Sequence, residues 1–148
     1  MKKIPTLFER EFDDKHNFTL LNKVREGFEW VLKGEGIPTV KVDGQCTAII
    51  NGVFYKRYDN KKGKKLPDGA IKCCEPDAIT GHSPYWIPVS DSDEDKWLRK
   101  AYDNTNRSFI LEDGTYEAIG LHFQGNPYEL NDDYLLKHGS FIIEDYNK

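Results

Sequence analysis

Residues 45–58 read Gln-Cys-Thr-Ala-Ile-Ile-Asn-Gly-Val-Phe-Tyr-Lys-Arg-Tyr, and this stretch decides the fold. In its first half Cys46, Ala48 and Ile50 alternate along one face, as they would in a β-strand. Both halves are rich in β-favouring residues, and Asn51-Gly52 separates them. Because an Asn-Gly pair between two β-rich runs is the strongest short-range hairpin signal, the sequence predicts an antiparallel hairpin here.

The residues that follow the hairpin predict one long loop and one helix. Residues 59–91 are rich in proline and predict an irregular stretch. The prolines are Pro67, Pro76, Pro84 and Pro88. Ser92 and Asp95 have spacing that resembles a capping box, so a short helix is expected to begin there. Its buried stripe would consist of Trp97, Leu98, Ala101 and Tyr102.

The last third of the chain predicts two more strands and one more helix. Asp113-Gly114 predicts a turn before a strand over residues 115–121. A short helix is expected over residues 132–138, ended by Gly139, with His138 favoured at its C-terminus by the helix dipole. Residues 140–145 predict a closing strand. We therefore predict one α+β domain over residues 1–148, with mostly antiparallel sheets and short helices.

Composition limits the classes of function. The formal net charge of −4 argues against a protein that holds nucleic acid by overall charge, so phosphates would need a local basic patch. No apolar run approaches the length of a membrane span, and no N-terminal stretch has the pattern of a signal peptide. Cys46, Cys73 and Cys74 form no even set, which favours free thiols in the cytoplasm.

Lys41 is the first candidate for chemistry, because it precedes Asp43-Gly44 at the entry to the hairpin. A lysine is a nucleophile only when neutral, and a pKa of about 10.4 leaves roughly one molecule in two thousand neutral at pH 7. A catalytic lysine therefore needs desolvation or positive neighbours, such as Arg57 or a metal ion. A surface lysine in a turn is the alternative, since the four-residue pattern alone is weak.

A basic run begins on the second hairpin strand and continues into the loop. Its members are Lys56, Arg57, Lys61, Lys62, Lys64 and Lys65. Arg57 shares a face with Tyr55, whereas Lys56 points the other way. We expect Arg57 to contact phosphate. For the lysines, a contact with RNA or phosphate stands beside the alternative of a solvated loop.

Glu117 lies in the β-favouring run of residues 115–121. A buried carboxylate there needs a hydroxyl, a base or a metal ion as its partner, and a ribose hydroxyl or Mg²⁺ would serve. Glu117 is therefore a candidate for nucleotide binding and for a magnesium site. A solvent-facing position on a two-sided strand is the alternative.

Taken together, these residues resemble the covalent nucleotidyltransferase superfamily of ligases and capping enzymes, and specifically its RNA ligase branch. Lys41-Val42-Asp43-Gly44 resembles the nucleophile motif of that superfamily. Residues 116–120, Tyr-Glu-Ala-Ile-Gly, resemble the motif whose glutamate holds the ribose. Arg57 is placed like the arginine that contacts the bound nucleotide.

Flanking segments extend the resemblance over residues 29–141 and point to a small group of RNA ligases found in cellular organisms and viruses. They are residues 29–36 leading into Thr39-Val40-Lys41, Glu75-Pro76-Asp77 with Thr80-Gly81-His82, and Gly125-Asn126-Pro127-Tyr128 with His138-Gly139. The resemblance implies a nucleotide site that includes Thr39, Val40, Asp43 and Gly44, with Phe141 or Tyr128 against the adenine.

The resemblance also implies a partial ATP-grasp-like adenylation fold and the chemistry that this fold performs. Lys41 would attack the α-phosphate of ATP and release pyrophosphate, giving lysyl-AMP. AMP would pass to an RNA 5′-phosphate, and a 3′-hydroxyl would displace it to seal the strand. Mg²⁺ would neutralise phosphate charge and align the displacement. The expected role is a cytoplasmic ligase acting in RNA repair.

Two motifs of the family are missing after Gly139: a Glu-Gly strand and a Lys-x-Lys strand whose lysines grip the phosphates. Glu26-Gly27 and Glu35-Gly36 precede the nucleophile, and Lys62-Gly63-Lys64 lies in the loop after the hairpin. A truncated chain, a short form completed by a partner chain and a degenerate binder stay open. Since such a phosphate contact is typically worth roughly 3–4 kcal/mol, we expect weak ligase activity from this chain alone.

Two other functions remain as alternatives at this point. A capping guanylyltransferase or a DNA ligase would use the same lysine chemistry. A non-catalytic domain that binds nucleic acid or protein would keep the fold, and Lys41 would have no chemical role in it.

Overall fold

The computed structural model describes residues 4–77 and 81–144. In chain order they form β1 (Phe8–Phe12), β2 (Phe18–Val24), α1 (Glu29–Leu32), β3 (Gln45–Ile50), β4 (Val53–Asn60), β5 (Ile71–Lys72), β6 (Ser83–Pro88), α2 (Lys96–Asn106), β7 (Gly114–Ile119) and β8 (Tyr134–Lys137). All the paired strands are antiparallel and the helices are short, so the predicted α+β class is confirmed.

Contacts between residues divide the described chain into two compact units. The first unit comprises Lys41–Ser140 and holds a six-stranded sheet in the order β5-β6-β4-β3-β7-β8. The second unit comprises residues 4–40 and 141–144 and holds the β1–β2 hairpin and α1.

The hairpin predicted from residues 45–58 is confirmed as β3 and β4, at the centre of the six-stranded sheet. Asn51 and Gly52 have φ angles of 50° and 76°, which the two-residue turn requires and which an Asn-Gly pair adopts at low cost. The Asp113 carboxylate accepts hydrogen bonds from the N–H groups of Asn51 and Gly52, at 2.6 and 3.0 Å. The turn at Asp113, which precedes β7, thereby stabilises the Asn51-Gly52 turn of the hairpin.

One face of this sheet packs against α2, and we call it the helix face. Ile49, Tyr116, Ala118 and Leu135 contribute its buried side chains. Leu98 and Ala101 of α2 cover them, with Trp97 and Tyr102 partly buried beside them, so the predicted stripe is confirmed. Ala101 has no exposed surface, which leaves no room for a larger side chain at this crossing.

The irregular stretch predicted for residues 59–91 is wrong in part, because β4 continues to Asn60 and β6 pairs with it in full. The Val89 N–H donates to the Phe54 carbonyl in β4. By alternation, Pro84 and Pro88 lie where a backbone N–H would point away from β4, toward β5. Since β5 is only two residues long, both prolines cost the sheet little hydrogen bonding.

The helix predicted over residues 132–138 is wrong: residues 134–137 form β8, which pairs with β7. The turn at Gly139, with φ of 77°, follows a strand rather than a helix. The closing strand predicted over residues 140–145 is reduced to a single bridge between Thr39 and Ile142, and Asp145 lies outside the described residues.

The capping box predicted at the start of α2 is also wrong. Ser92 makes no capping hydrogen bond, and a 3-10 turn at Asp93–Asp95 precedes the helix. Asp95 is buried instead, and its Oδ2 accepts hydrogen bonds from the Ser90 N–H and hydroxyl, at 2.8 and 2.9 Å.

Among the described residues, no helix is long and apolar enough to cross a bilayer.

Candidate functional site

The other face of the six-stranded sheet carries Arg57 and Glu117, two of the predicted site residues, and we call it the site face. Cys46 on β3 lies directly opposite Glu117 on β7. Thr47 is opposite Lys56, so the next position along the hairpin sets Cys46 opposite Arg57 on β4. Because opposed residues of antiparallel strands share a face, Arg57, Cys46 and Glu117 form a row across three strands.

Glu117 is paired with a histidine that the sequence reasoning assigned to a helix end. His138 Nε2 lies 2.6 Å from Glu117 Oε2, and His138 Nδ1 lies 2.8 Å from Thr115 Oγ1. The Glu117 and His138 side chains are only 12% and 23% exposed. The interpretation of His138 as a helix C-terminal residue is therefore wrong. The sequence signal that could have found it is strand-like alternation in β8, which places residues 134, 136 and 138 on one face.

Cys46 completes a compact group with these two side chains. The Cys46 Sγ, one Glu117 carboxylate oxygen and one His138 ring nitrogen all lie within 4.8 Å of one another. Burial raises the pKa of the Cys46 thiol to about 11, and the negative charge of Glu117 adds to this effect, while Arg57 opposes it. Cys46 is therefore a neutral thiol at physiological pH.

The Lys41-Val42-Asp43-Gly44 segment enters β3 against the strand that carries Glu117. The Asp43 N–H donates to the Tyr128 hydroxyl at 2.6 Å, and Gln124 Nε2 donates to the Gly44 carbonyl at 3.3 Å. A Cβ built on Gly44 would lie 2.0 Å from the Ala118 carbonyl oxygen, so only glycine fits. The end of the segment is therefore fixed beside Ala118, the residue next to Glu117. Lys41 itself is exposed.

Arg57 lies at the other end of the row on the site face. Its side chain is 21% exposed, and its Nε donates to Asp59 Oδ1 at 3.3 Å. Burial would lower the pKa of Arg57, but the Asp59 carboxylate outweighs burial through its charge and its hydrogen bond, so the pKa is raised. The guanidinium keeps its charge throughout the physiological pH range.

The predicted basic residues do not share one environment. Lys56 lies on the helix face, where its Nζ is 2.5 Å from Asp95 Oδ1 and 3.6 Å from a Glu94 oxygen. The four distal lysines are exposed in the loop after β4: Lys61, Lys62, Lys64 and Lys65. Contacts of these five lysines with RNA or phosphate stay predictions, and the phosphate argument rests on Arg57.

Three predicted nucleotide residues belong to the second compact unit. The Val40 N–H donates to the Phe141 carbonyl at 2.8 Å, and Thr39 bridges to Ile142. The Phe141 residue is 55% exposed, and its contact with the adenine stays a prediction. Of the flanking segments, Thr80 lies outside the described residues.

Magnesium fits the donors around Glu117 poorly. Mg²⁺ takes a near-octahedral set of oxygen ligands and retains several waters, whereas Glu117 has a thiol and an imidazole as its neighbours. We therefore derive no step through a protein-bound Mg²⁺ at Glu117. A magnesium ion that arrives on the nucleotide phosphates would need no such donor set.

No protein-family model matches the chain, and no curated protein matches it either.

Proposed function

We propose that the chain is an ATP-dependent RNA ligase that forms lysyl-AMP on Lys41 and joins RNA 5′-phosphate and 3′-hydroxyl ends. The site would be the site face of the six-stranded sheet together with the segment that enters β3. The proposal includes a cytoplasmic location and ATP with Mg²⁺ as the reactants of the first step.

The convergence of three separated motifs is the observation that carries this proposal. The Lys41–Gly44 segment, Arg57 and Glu117 come from different parts of the sequence, yet Gly44 packs on Ala118 beside Glu117. Arg57 and Glu117 flank Cys46 on one face. The backbone that carries Lys41 is thus held beside the strand that carries Glu117, and this arrangement favours a nucleotide site.

Each residue has a distinct role in the proposed first step. The neutral amine of Lys41 attacks the α-phosphorus of ATP, a nitrogen–phosphorus bond forms, and the bond to the pyrophosphate oxygen breaks. The amine loses its proton to solvent. Arg57 offsets the negative charge of the phosphates, which grows on the leaving group during the displacement.

Glu117 would hold the ribose of the nucleotide. His138 Nε2 contacts one oxygen of this carboxylate, Oε2, which leaves the other oxygen, Oε1, for the ribose in this proposal. A ribose hydroxyl can donate to Oε1 while His138 keeps the carboxylate in place. His138 is therefore a positioning residue in this proposal.

Intact-mass analysis after incubation with ATP and Mg²⁺ tests the proposal. The expected product carries one added AMP, and peptide mapping should place it on Lys41. Lys41→Ala should abolish the adduct, and Lys33→Ala, which changes another exposed lysine, should retain it. No adduct at any ATP concentration, or an adduct of equal yield in Lys41→Ala, would contradict the proposal.

Nucleotide and end preference separate the ligase from its chemical relatives. ATP should form the adduct, and GTP should not, whereas a capping enzyme would show the reverse. The adenylylated chain should pass AMP to a 5′-phosphorylated RNA in preference to a DNA of the same sequence. Transfer to DNA alone would identify a DNA ligase, and RNA binding without any adduct would identify a non-catalytic domain.

A further inference from the structure

The group formed by Cys46, Glu117 and His138 offers one sulfur, one oxygen and one nitrogen ligand to a common point. We propose that these three side chains bind a divalent transition-metal ion of the Zn²⁺ type. Thiolate and imidazole ligands favour such ions, whereas Mg²⁺ favours oxygen donors alone. The proposed ion is therefore different from the magnesium of the ligase reaction.

The positions of the three donors fit a tetrahedral site after small side-chain movements. Bonds of about 2.0–2.3 Å to a central Zn²⁺ place neighbouring ligand atoms roughly 3.5 Å apart. The three donor atoms already lie within 4.8 Å of one another. The 2.6 Å contact between His138 and Glu117 must lengthen by about 1 Å to admit the ion.

The backbone holds the ligands on rigid elements. Cys46 and Glu117 are opposed on adjacent strands, which fixes their separation. His138 follows β8 directly, and its N–H donates to the Thr115 carbonyl at 3.1 Å. All three residues are partly buried, so the protein shields the common point from part of the solvent.

Thr115 supplies the outer contact that metal-binding histidines usually have. His138 Nδ1 lies 2.8 Å from Thr115 Oγ1. When Nδ1–H donates to this hydroxyl, the lone pair of Nε2 faces Glu117 and Cys46. Thr115 is a positioning residue for the imidazole in this arrangement.

Binding exchanges protons for metal bonds and changes no oxidation state. The Cys46 S–H bond breaks and its proton goes to solvent as the metal–sulfur bond forms. Any proton that lies between His138 Nε2 and Glu117 Oε2 also goes to solvent, because both atoms turn to the ion. A water molecule completes the fourth position.

Cobalt(II) is the probe for this site, because a Co²⁺–thiolate bond gives a near-ultraviolet charge-transfer band and a tetrahedral site gives strong visible bands. Cys73 and Cys74 are first replaced by serine, which leaves Cys46 as the sole thiol of the chain. We expect this double variant to show both bands at one Co²⁺ per chain. The bands should disappear when Zn²⁺ is added in equal amount.

Variants at the ligands give the second arm of the test, with folding checked by circular dichroism. In the double-serine chain, Cys46→Ser should abolish the charge-transfer band. His138→Asn and Glu117→Gln should each weaken Co²⁺ binding at least tenfold, and Thr115→Val should weaken it roughly 10–100-fold. His16→Asn, an exposed histidine in the β1–β2 turn, should leave binding unchanged.

Two results would overturn the metal site: no charge-transfer band in the double-serine chain, or a band that survives Cys46→Ser. A consequence for catalysis rests on the proposed function: an ion on Oε2 draws negative charge away from the Glu117 carboxylate and weakens the hydrogen bond that Oε1 accepts from the ribose, so Zn²⁺ should inhibit lysyl-AMP formation. The cobalt spectra need no ATP. A failed ligase assay therefore leaves the metal measurement intact, and a missing cobalt spectrum leaves the ligase measurement intact.

Discussion

Lys56 and Arg57 are consecutive cations on β4, and the two faces of the sheet use them differently. On the helix face, Lys56 is 13% exposed and meets Asp95, a carboxylate that is itself buried. On the site face, Arg57 is in a row with Cys46 and Glu117. The helix face pairs its charge to hold the structure together, whereas the site face gathers different chemical groups at one place.

The largest expected effect is on stability and comes from the helix face. Asp95→Ala removes the carboxylate that Lys56 and Ser90 share, and leaves a partly buried ammonium that is paired with the exposed Glu94. We expect a loss of about 3–5 kcal/mol in the free energy of unfolding, measured by urea denaturation. Asp93→Ala breaks the exposed pair with Lys96 and should cost under about 1 kcal/mol. Equal losses in the two variants would show that the buried pair has no special role.

Gly44→Ala is expected to come next, and it tests the contact that fixes the Lys41 segment. The new Cβ would overlap the Ala118 carbonyl oxygen, so β3 and β7 must move apart near Glu117. We expect a loss of about 1–3 kcal/mol in stability and a larger loss of lysyl-AMP formation. Gly63→Ala meets open space but keeps a left-handed backbone, so it should cost about 1 kcal/mol and spare adduct formation. Full adduct formation by Gly44→Ala would remove this contact from the account.

The pH dependence of stability tests the pair of Lys56 and Asp95 on the helix face. Burial alone would raise the pKa of Asp95, but the bonds from Lys56 and Ser90 outweigh burial and lower it. A carboxyl with a depressed folded pKa stabilises the fold above its unfolded pKa of about 3.9, and this contribution is lost as pH falls further. Unfolding followed from pH 6 to pH 2 should therefore depend less on pH in Asp95→Asn. An unchanged acid slope would contradict the assigned pair.

The smallest expected effect is a change in thiol reactivity on the site face. Cys46 has a pKa raised to about 11 by burial and by Glu117, so it should react slowly with iodoacetamide. Glu117→Gln removes the negative charge that helps to raise the pKa of Cys46. This substitution should increase the alkylation rate of Cys46 roughly 3–10-fold at pH 8. Mass mapping separates this site from Cys74, whose rate should not change. A Cys46 rate that is the same in both proteins would mean that Glu117 does not act on this thiol.

The sequence predicted the parts of the fold that local signals determine. Asn51-Gly52 sets the central hairpin, and the apolar spacing from Trp97 to Tyr102 sets α2, because both signals lie within a few residues. The pairing of strands that lie far apart in the sequence was not predicted. β6 forms despite Pro84 and Pro88 because a backbone N–H at these two positions would point away from β4. No local sequence pattern shows which side of the strand a backbone N–H faces.

The candidate site shows the same limit. Lys41, Arg57 and Glu117 could be selected by their motifs, but the place of His138 depends on β8 being a strand. Leu135-Leu136 followed by Gly139 fits a helix end equally well, and pairing with β7 decides the matter. The sequence therefore did not predict the group of Cys46, Glu117 and His138, because its members are separated by 71 and 21 residues along the chain (117 − 46 and 138 − 117).

The comparison of the two faces can be tested directly by the rate of lysyl-AMP formation in two cation variants. Arg57→Ala changes the site face, and Lys137→Ala changes an exposed lysine opposite Tyr116 on the helix face. The account predicts a rate roughly 100–1,000-fold lower for Arg57→Ala, since a charge that stabilises the transition state is lost, and a rate within about twofold of the parent for Lys137→Ala. Equal rates in the two variants would contradict the assignment of nucleotide chemistry to the site face.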